Sequence, residues 1–152
     1  MKNFIPQHAV RSQTLMEELE AIAVDAQQVD AERIYVTGQA FNFWVRVNDK
    51  TQYLVFSTYA PLHEVKESIE SLRFVNELND IWSLAQFSIS FEQDRLYAFY
   101  MLSFKGGLLR KQLLRTLVHF PNIFADVVTE GRMRGLVAND VEAFEPIQIV
   151  CN

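Results

Sequence analysis

Covalent crosslinks are the first thing that this chain lacks. Of its 152 residues only one is a cysteine, Cys151, which is next to last. A single cysteine excludes an internal disulfide, and the simplest interpretation is a free thiol in a reducing cytoplasm. A chain of this length needs no crosslink, because folding buries roughly 68–70% of the surface that the unfolded chain exposes. We predict a single domain over residues 1–152.

Long apolar runs and an excess of basic residues are also missing. No run approaches the roughly 18 apolar residues that cross a bilayer. The first residues, MKNFIPQHAVRSQ, have no apolar core of signal-peptide length. The net charge is -5, whereas nucleic acids and anionic membranes favour a basic face. We expect a cytoplasmic protein that binds neither nucleic acid nor a membrane.

The spacings that mark catalytic and metal sites are absent as well. His8, His63 and His119 are far apart, and none has a second histidine four residues away. No serine lies in a Gly-x-Ser-x-Gly turn, and the lone cysteine has no sequence frame for a Cys–His pair. We predict no catalytic residue, no metal and no cofactor, and a protein that is not an enzyme. Clustered, buried carboxylates or histidines in a deep cleft would indicate the opposite.

The chain does have a regular succession of helix and strand patterns. An apolar stripe after Ser12 predicts a first helix. Residues 33–37 form a short β-branched segment, and residues 41–47 alternate apolar and polar side chains with a period of two. A polar turn at residues 48–50 joins this strand to a third over residues 53–58, which predicts an antiparallel hairpin.

The C-terminal half repeats the scheme. A helix is predicted from Pro61 to about Asn79, and a second hairpin over residues 87–102. The last helix is expected to begin after Gly106-Gly107, and Pro121 to kink or split it. The resulting order is α-β-β-β-α-β-β-α. It predicts an α+β two-layer sandwich, with an antiparallel sheet that helices cover mainly on one side.

The predicted strands carry apolar bulk on both faces. Because helices cover one face, the other needs a cover too: the C-terminal tail, another subunit or a client chain. Tryptophan and tyrosine suit such an interface, since each joins a large apolar area to a polar tip. The predicted interface residues are Trp44, Arg46, Tyr97 and Tyr100.

The Gly106-Gly107 turn has two interpretations. Its N–H groups could hold an anion at a helix start, with Arg110 and Lys111 beside them. Alternatively the glycines are there because the chain needs positive φ, which is the favoured interpretation. Lys111 and Arg115 extend a local basic face that either meets an acidic partner surface or is a solvated stripe.

Residues 73–127 resemble the YbjN family of bacterial sensory transduction regulators. The matching features are Asn76 and Asn79 near a helix end, the strand AQFSIS, the return strand YAFYMLSF, the Gly-Gly turn and the leucine-spaced helix after it. The hairpin WVRVNDKTQYLVFSTYAP fits the opening strands of that family. The resemblance therefore covers most of residues 14–130.

This resemblance implies a fold like that of type III secretion chaperones, an α/β sandwich that commonly dimerises. Members of those chaperone families are small, acidic, cytoplasmic and non-enzymatic, and they bind extended segments of a client. The family core would span about residues 12–130, with a C-terminal extension over residues 131–152. We predict a non-catalytic protein-binding module, chaperone-like or regulatory, that acts as a homodimer. The alternative is a sensor that binds a small anionic ligand at the Gly106-Gly107 helix start.

Overall fold

The computed structural model describes residues 3–63 and 69–139. A short strand β1 (Phe4–Ile5) and a 3-10 turn (Gln7–Ala9) lead into helix α1 (Ser12–Ala21). The remaining elements follow in the order β2 (Ala26–Gln28), β3 (Arg33–Val36), β4 (Phe43–Asn48), β5 (Tyr53–Pro61), α2 (Ile69–Ile81), β6 (Gln86–Ser90), β7 (Arg95–Ser103), β8 (Leu108–Leu109) and α3 (Arg110–Met133).

Six of the strands form one antiparallel sheet in the order β2-β3-β4-β5-β7-β6. The register aligns Val45 of β4 with Phe56 of β5, and Phe56 with Tyr100 of β7. A second, two-stranded sheet pairs β1 with β8. The predicted α+β class and antiparallel sheet are confirmed, whereas β1, β2 and β8 were not predicted from the sequence.

The turn between β4 and β5 shows how local chemistry sets the register. The side-chain oxygen of Asn48 accepts hydrogen bonds from the N–H groups of Lys50 and Thr51, both at 3.2 Å. Such an Asx turn reverses the chain without help from distant residues. Gln52 then has a φ of 58°, the left-handed conformation that completes a tight connection.

All described helices lie on one face of the six-stranded sheet, which we call the inner face. Phe43 and Phe56 point to this face and are fully buried. Phe120 of α3 meets both rings edge-on, with centroids 5.6 and 6.0 Å apart. Leu15 and Leu19 of α1 and Phe74 and Leu78 of α2 join the same core cluster. The predicted one-sided cover by helices is thus confirmed for the described part of the chain.

The free edge of β6 is closed by a side chain of α2. The amide of Asn79 donates a hydrogen bond to the carbonyl of Phe87 at 3.0 Å and accepts one from its N–H at 2.8 Å. Unpaired strand edges invite pairing with other chains. Asn79, one of the residues on which the family resemblance depends, blocks that pairing at this position.

The last helix differs from its sequence prediction in two respects. It begins at Arg110 rather than after Gly107, because residues 108–109 pair with β1 first. It also continues through Pro121 without a break. A proline inside a helix costs about 3 kcal/mol. Burial of the flanking Leu117 and Phe120 stabilises the helix by about 1.5–3 kcal/mol each, enough to offset that cost.

Two further boundaries also differ. Pro61 is the last residue of β5, because that strand runs three residues past its predicted end at residue 58. The helix predicted from Pro61 is described from Ile69 to Ile81.

After α3 the chain turns back to the end of β5. Gly135, with a φ of 72°, lies just past the helix end, where a left-handed glycine is common. Val137 then bridges to Leu62, and the N–H of Ala138 donates to the carbonyl of Pro61 at 2.9 Å. The rest of the predicted extension, residues 140–152 with Cys151, lies outside the described residues.

Candidate protein-binding surface

The face of the sheet opposite the helices, the outer face, carries a row of aromatic rings across four strands. We call these five residues the aromatic strip: Tyr35, Trp44, Tyr59, Tyr97 and Phe99. Successive ring centroids lie 4.7, 5.7, 5.7 and 6.0 Å apart. These are the separations at which aromatic pairs attract each other beyond simple burial. The rings therefore form one continuous surface.

The strip is separate from the core and unevenly exposed. None of its five residues belongs to the core cluster, which collects the side chains of the inner face. Tyr35 and Trp44 are 2% and 8% exposed, whereas Met101, beside the other end, is 52% exposed. Tyr59, Tyr97 and Phe99 are half-buried. One end of the strip is thus already enclosed and the other faces outward.

Polar tips along the strip are held by neighbours. The Tyr97 hydroxyl donates to the side chain of Gln93 and accepts a bond from Arg95 at 3.4 Å. Burial raises the pKa of Tyr35, although a hydrogen bond with Asn42 works in the opposite direction. A neutral hydroxyl is therefore favoured at this position.

Arginine is the only charged residue type at the outward positions of the six strands. These positions hold Arg33, Arg46 and Arg95, and no aspartate or glutamate. The Arg33 guanidinium binds Asp30 from the preceding turn at 2.6 Å, and the Arg95 guanidinium lies 4.1 Å above the ring of Tyr59. On a chain with a net charge of -5, this local basic excess favours an acidic partner.

Three of the four predicted interface residues lie together on the outer face. Trp44 and Tyr97 belong to the aromatic strip, and Arg46 is exposed beside it. The placement of Tyr100 in that interface is wrong. Side chains alternate along a strand, so a residue three positions after Tyr97 points to the opposite face. The ring of Tyr100 meets Phe56 edge-on at 6.0 Å, on the inner face.

Sequence reasoning missed four residues of this surface: Tyr35, Tyr59, Arg95 and Phe99. Tyr59 lies one residue beyond the predicted end of its strand, and Arg95 one residue before the next. Continuing the period of two from Tyr53 and Val55 would have placed Tyr59 on the outer face.

Tyr100 instead lies at a groove of about 220 Å³ between α3 and the connection after α2. Leu84, Arg115, His119 and Ile123 also line it. The groove holds no carboxylate among its lining residues. Over residues 3–63 and 69–139, no group of three or more His, Cys, Asp or Glu is arranged to hold a metal ion.

Both backbone N–H groups that the predicted anion site at Gly106 and Gly107 would use already have partners within the fold. The N–H of Gly106 donates to the side chain of Gln7 at 2.7 Å, and that of Gly107 to the carbonyl of Phe104 at 2.8 Å. A Cβ on Gly107 would lie 1.9 Å from the ring of Phe4. The φ angles of 80° and 118° support the turn interpretation.

The two cations predicted for that site, Arg110 and Lys111, have different surroundings in the structure. Arg110 forms a two-pronged ion pair with Glu18 of α1, at 2.5 and 2.6 Å. This hydrogen bonding raises the pKa of Arg110, and the guanidinium charge is matched within the fold. Lys111 is exposed. Arg110 therefore joins α3 to α1.

Comparisons with known proteins agree with the family resemblance. The YbjN family model, described as "Putative bacterial sensory transduction regulator", matches residues 12–130. The structure titled "Crystal structure of YbjN, a putative transcription regulator from E. coli" is similar with a TM-score of 0.68 and 14% identity, over 83% of this chain and 94% of that chain. At that identity the likeness shows the fold. The comparison with curated proteins gave no match.

One finding bears on membranes. Within the described ranges, no helix combines the length and the apolar character that a membrane span requires.

Proposed function

The chain belongs to the YbjN family, and from this premise we propose that it is a non-catalytic protein-binding module, chaperone-like or regulatory. The observation that carries the proposal is the aromatic strip on the outer face. The binding surface is this strip together with Arg46 and Arg95. The cytoplasmic location stays a prediction.

The chemistry of the strip fits a protein partner. Tyrosine, tryptophan and arginine are the residues that dominate binding energy at protein interfaces. Each ring here is held by its neighbours, so little side-chain freedom is lost when a partner covers it. The arginines, without carboxylates at the outward strand positions, favour a partner segment that joins acidic and apolar side chains.

Homodimerisation is the second part of the proposal and depends on a different surface. Helix α2 and the connection after it expose large apolar side chains, each more than half exposed: Ile69, Leu72, Ile81 and Leu84. A two-fold contact through the outer face would place two arginine-bearing patches together with no outward carboxylate on either side, because such an interface uses the same patch on both subunits. The α2 surface carries charges of both signs, with Glu70 paired to Arg73 and Glu77 to Arg134, and suits self-association better.

The test of partner binding compares two variants with the unchanged protein. Tyr97→Ala with Phe99→Ala removes the half-exposed end of the strip, whereas Leu109→Ala removes an apolar side chain, 55% exposed, elsewhere on the surface. We expect proteins that co-purify with the tagged chain to be lost with the first variant and kept with the second. Equal retention by both variants would contradict the proposal.

The test of the dimer is the mass in solution by light scattering. We expect twice the chain mass for the unchanged protein and the single chain mass for Leu72→Glu, which places a charge in the apolar contact. A Tyr97→Ala, Phe99→Ala variant should remain a dimer. A chain that is monomeric at every concentration and retains no protein would contradict both parts of the proposal.

A further inference from the structure

The chain leaves the described region next to the aromatic strip. Residue 138 is hydrogen-bonded to Pro61, the last residue of β5, by its N–H at 2.9 Å. Tyr59 lies two residues before Pro61 on the same strand, and it points to the outer face. The Arg95 side chain covers that ring at 4.1 Å. Whatever follows residue 139 therefore starts beside the middle of the strip.

We propose that residues 140–152 bind the aromatic strip and compete there with the protein partner. The inference rests on the proposed function, since it concerns the same surface. Residues 140–152 lie outside the described ranges, so the argument uses their sequence, their point of attachment and the chemistry of the surface that would receive them.

The sequence of this segment, DVEAFEPIQIVCN, complements the outer face. It has three acidic residues, Asp140, Glu142 and Glu145, and neither lysine nor arginine. It also has large apolar side chains: Val141, Phe144, Ile147, Ile149 and Val150. The strip offers aromatic rings, and the arginines beside it lack carboxylate neighbours at the outward strand positions. Opposite charges on two apolar surfaces are the arrangement that selects one partner over others.

The segment is long enough to cover the strip. Adjacent strands lie about 4.8 Å apart, so four strands from β3 to β7 span roughly 15 Å. An extended chain advances about 3.3 Å per residue, so even half of residues 140–152 reaches across that width. Tethering also gives the segment a high effective concentration at the strip, which a partner has to overcome.

The burial of the strip agrees with a covered face. Tyr35 and Trp44 are 2% and 8% exposed, although α1, α2 and α3 pack their buried apolar side chains on the other face. A second copy of the chain is a less suitable cover, because a two-fold contact would pair a patch that carries Arg46 and Arg95 with an identical patch that offers them no outward carboxylate.

The experiment uses the full chain with Trp44 as the reporter. The sequence has two tryptophans, so Trp82→Phe leaves Trp44 as the one indole. In this background, Glu142→Lys with Glu145→Lys should weaken binding of the segment to the arginines. We expect the emission of Trp44 to shift to longer wavelength, and acrylamide to quench it more strongly. The matched control, Glu17→Lys with Glu20→Lys on α1, makes the same charge change and should leave Trp44 unaffected.

Reversing the charges on both sides of the proposed contact distinguishes a lost ion pair from a general loss of structure. Adding Arg46→Glu and Arg95→Glu to the Glu142→Lys, Glu145→Lys variant should restore the protection of Trp44. Equal quenching of Trp44 with and without the Glu142 and Glu145 changes would overturn the inference. So would protection that depends on protein concentration, because a second copy would then be the cover. Since these measurements need no partner, their failure would leave the proposed binding function to its own test.

Discussion

The two faces of the six-stranded sheet use aromatic rings in different ways. Alternate residues of the same strands supply them: Phe43 and Phe56 point inward, whereas Trp44 and Tyr59 point outward. The rings of Phe43 and Phe56 have no polar atom and meet Phe120 of α3 in a fully buried core. Four of the five rings of the aromatic strip, all except Phe99, have a hydroxyl or an indole N–H, which suits a surface that is covered at some times and wet at others.

Charge separates the two faces as well. The inward positions of β3, β4 and β5 hold no ionised group, as burial requires. The outward positions of all six strands together hold three arginines, Arg33, Arg46 and Arg95. A permanently solvated surface gains nothing from a row of stacked rings, and a permanently buried core would exclude the arginines. The combination is typical of an interface.

The largest expected effect compares two residues of one strand. Phe56→Ala should lower the free energy of unfolding by about 3–5 kcal/mol, because it leaves a cavity in a fully packed core. Tyr59→Ala, three positions further and on the outer face, should lower it by about 1 kcal/mol, since its half-buried ring meets Trp44, Tyr97 and Arg95 at the surface of the sheet. Urea denaturation of both variants measures the difference. Equal losses would show that the outer face is a second core and not a binding surface.

The sequence was enough to predict that the sheet has two different faces, but not to assign every residue to the right face. The period of two over residues 41–47 determines which side chains of β4 share a face, and it placed Trp44 and Arg46 together on the face opposite Phe43, as the structure does. Assigning Tyr100 to the outer interface ignored the same rule within its own strand, since Tyr97 and Tyr100 are three residues apart. Long, strongly patterned strands are therefore predictable when the alternation is carried through to both ends.

Contacts between distant parts of the chain were beyond reach of the pattern. The pairing of residues 4–5 with residues 108–109 involves two residues on each side, too few to show a period. It moves the start of α3 to Arg110 and places Phe4 over Gly107. The bond from Gly106 to Gln7 joins residues 99 positions apart. The local sequence could not show that Gly106, one of the two donors of the predicted anion site, is bonded to this distant segment, while Gly107 is bonded to the nearby Phe104.

The second prediction tests whether the packing of Phe4 on the Gly106-Gly107 turn stabilises the fold. Gly106→Ala should cost about 1–2 kcal/mol, because a side chain is strained at positive φ and nothing else lies near. Gly107→Ala should cost roughly 2–4 kcal/mol, because the new methyl group also overlaps the Phe4 ring and displaces it. Thermal or urea unfolding measures both.

A double-mutant cycle identifies the cause. In a Phe4→Ala background, the costs of Gly106→Ala and Gly107→Ala should become similar, since the ring that creates the difference is gone. If Gly107→Ala remained the more destabilising change without Phe4, the overlap with the Phe4 ring would not be the cause of the difference.

The smallest expected effect comes from the buried end of the aromatic strip and appears only in alkali. Burial raises the pKa of Tyr35 in the folded chain, whereas an unfolded tyrosine ionises near pH 10. Below about pH 10 both states keep the proton, so the stability that Tyr35 contributes is fully present. As the pH rises towards the folded pKa, the unfolded chain releases its proton first, and the free energy of unfolding falls.

Tyr35→Phe cannot ionise, so its stability should fall less than that of the unchanged protein above pH 10, in urea unfolding at several pH values. Tyr53→Phe, on the same face but 37% exposed, is the matched control and should follow the unchanged protein. If Tyr35→Phe followed it as well, the Tyr35 hydroxyl would be open to water, and the enclosed end assigned to the strip would be wrong.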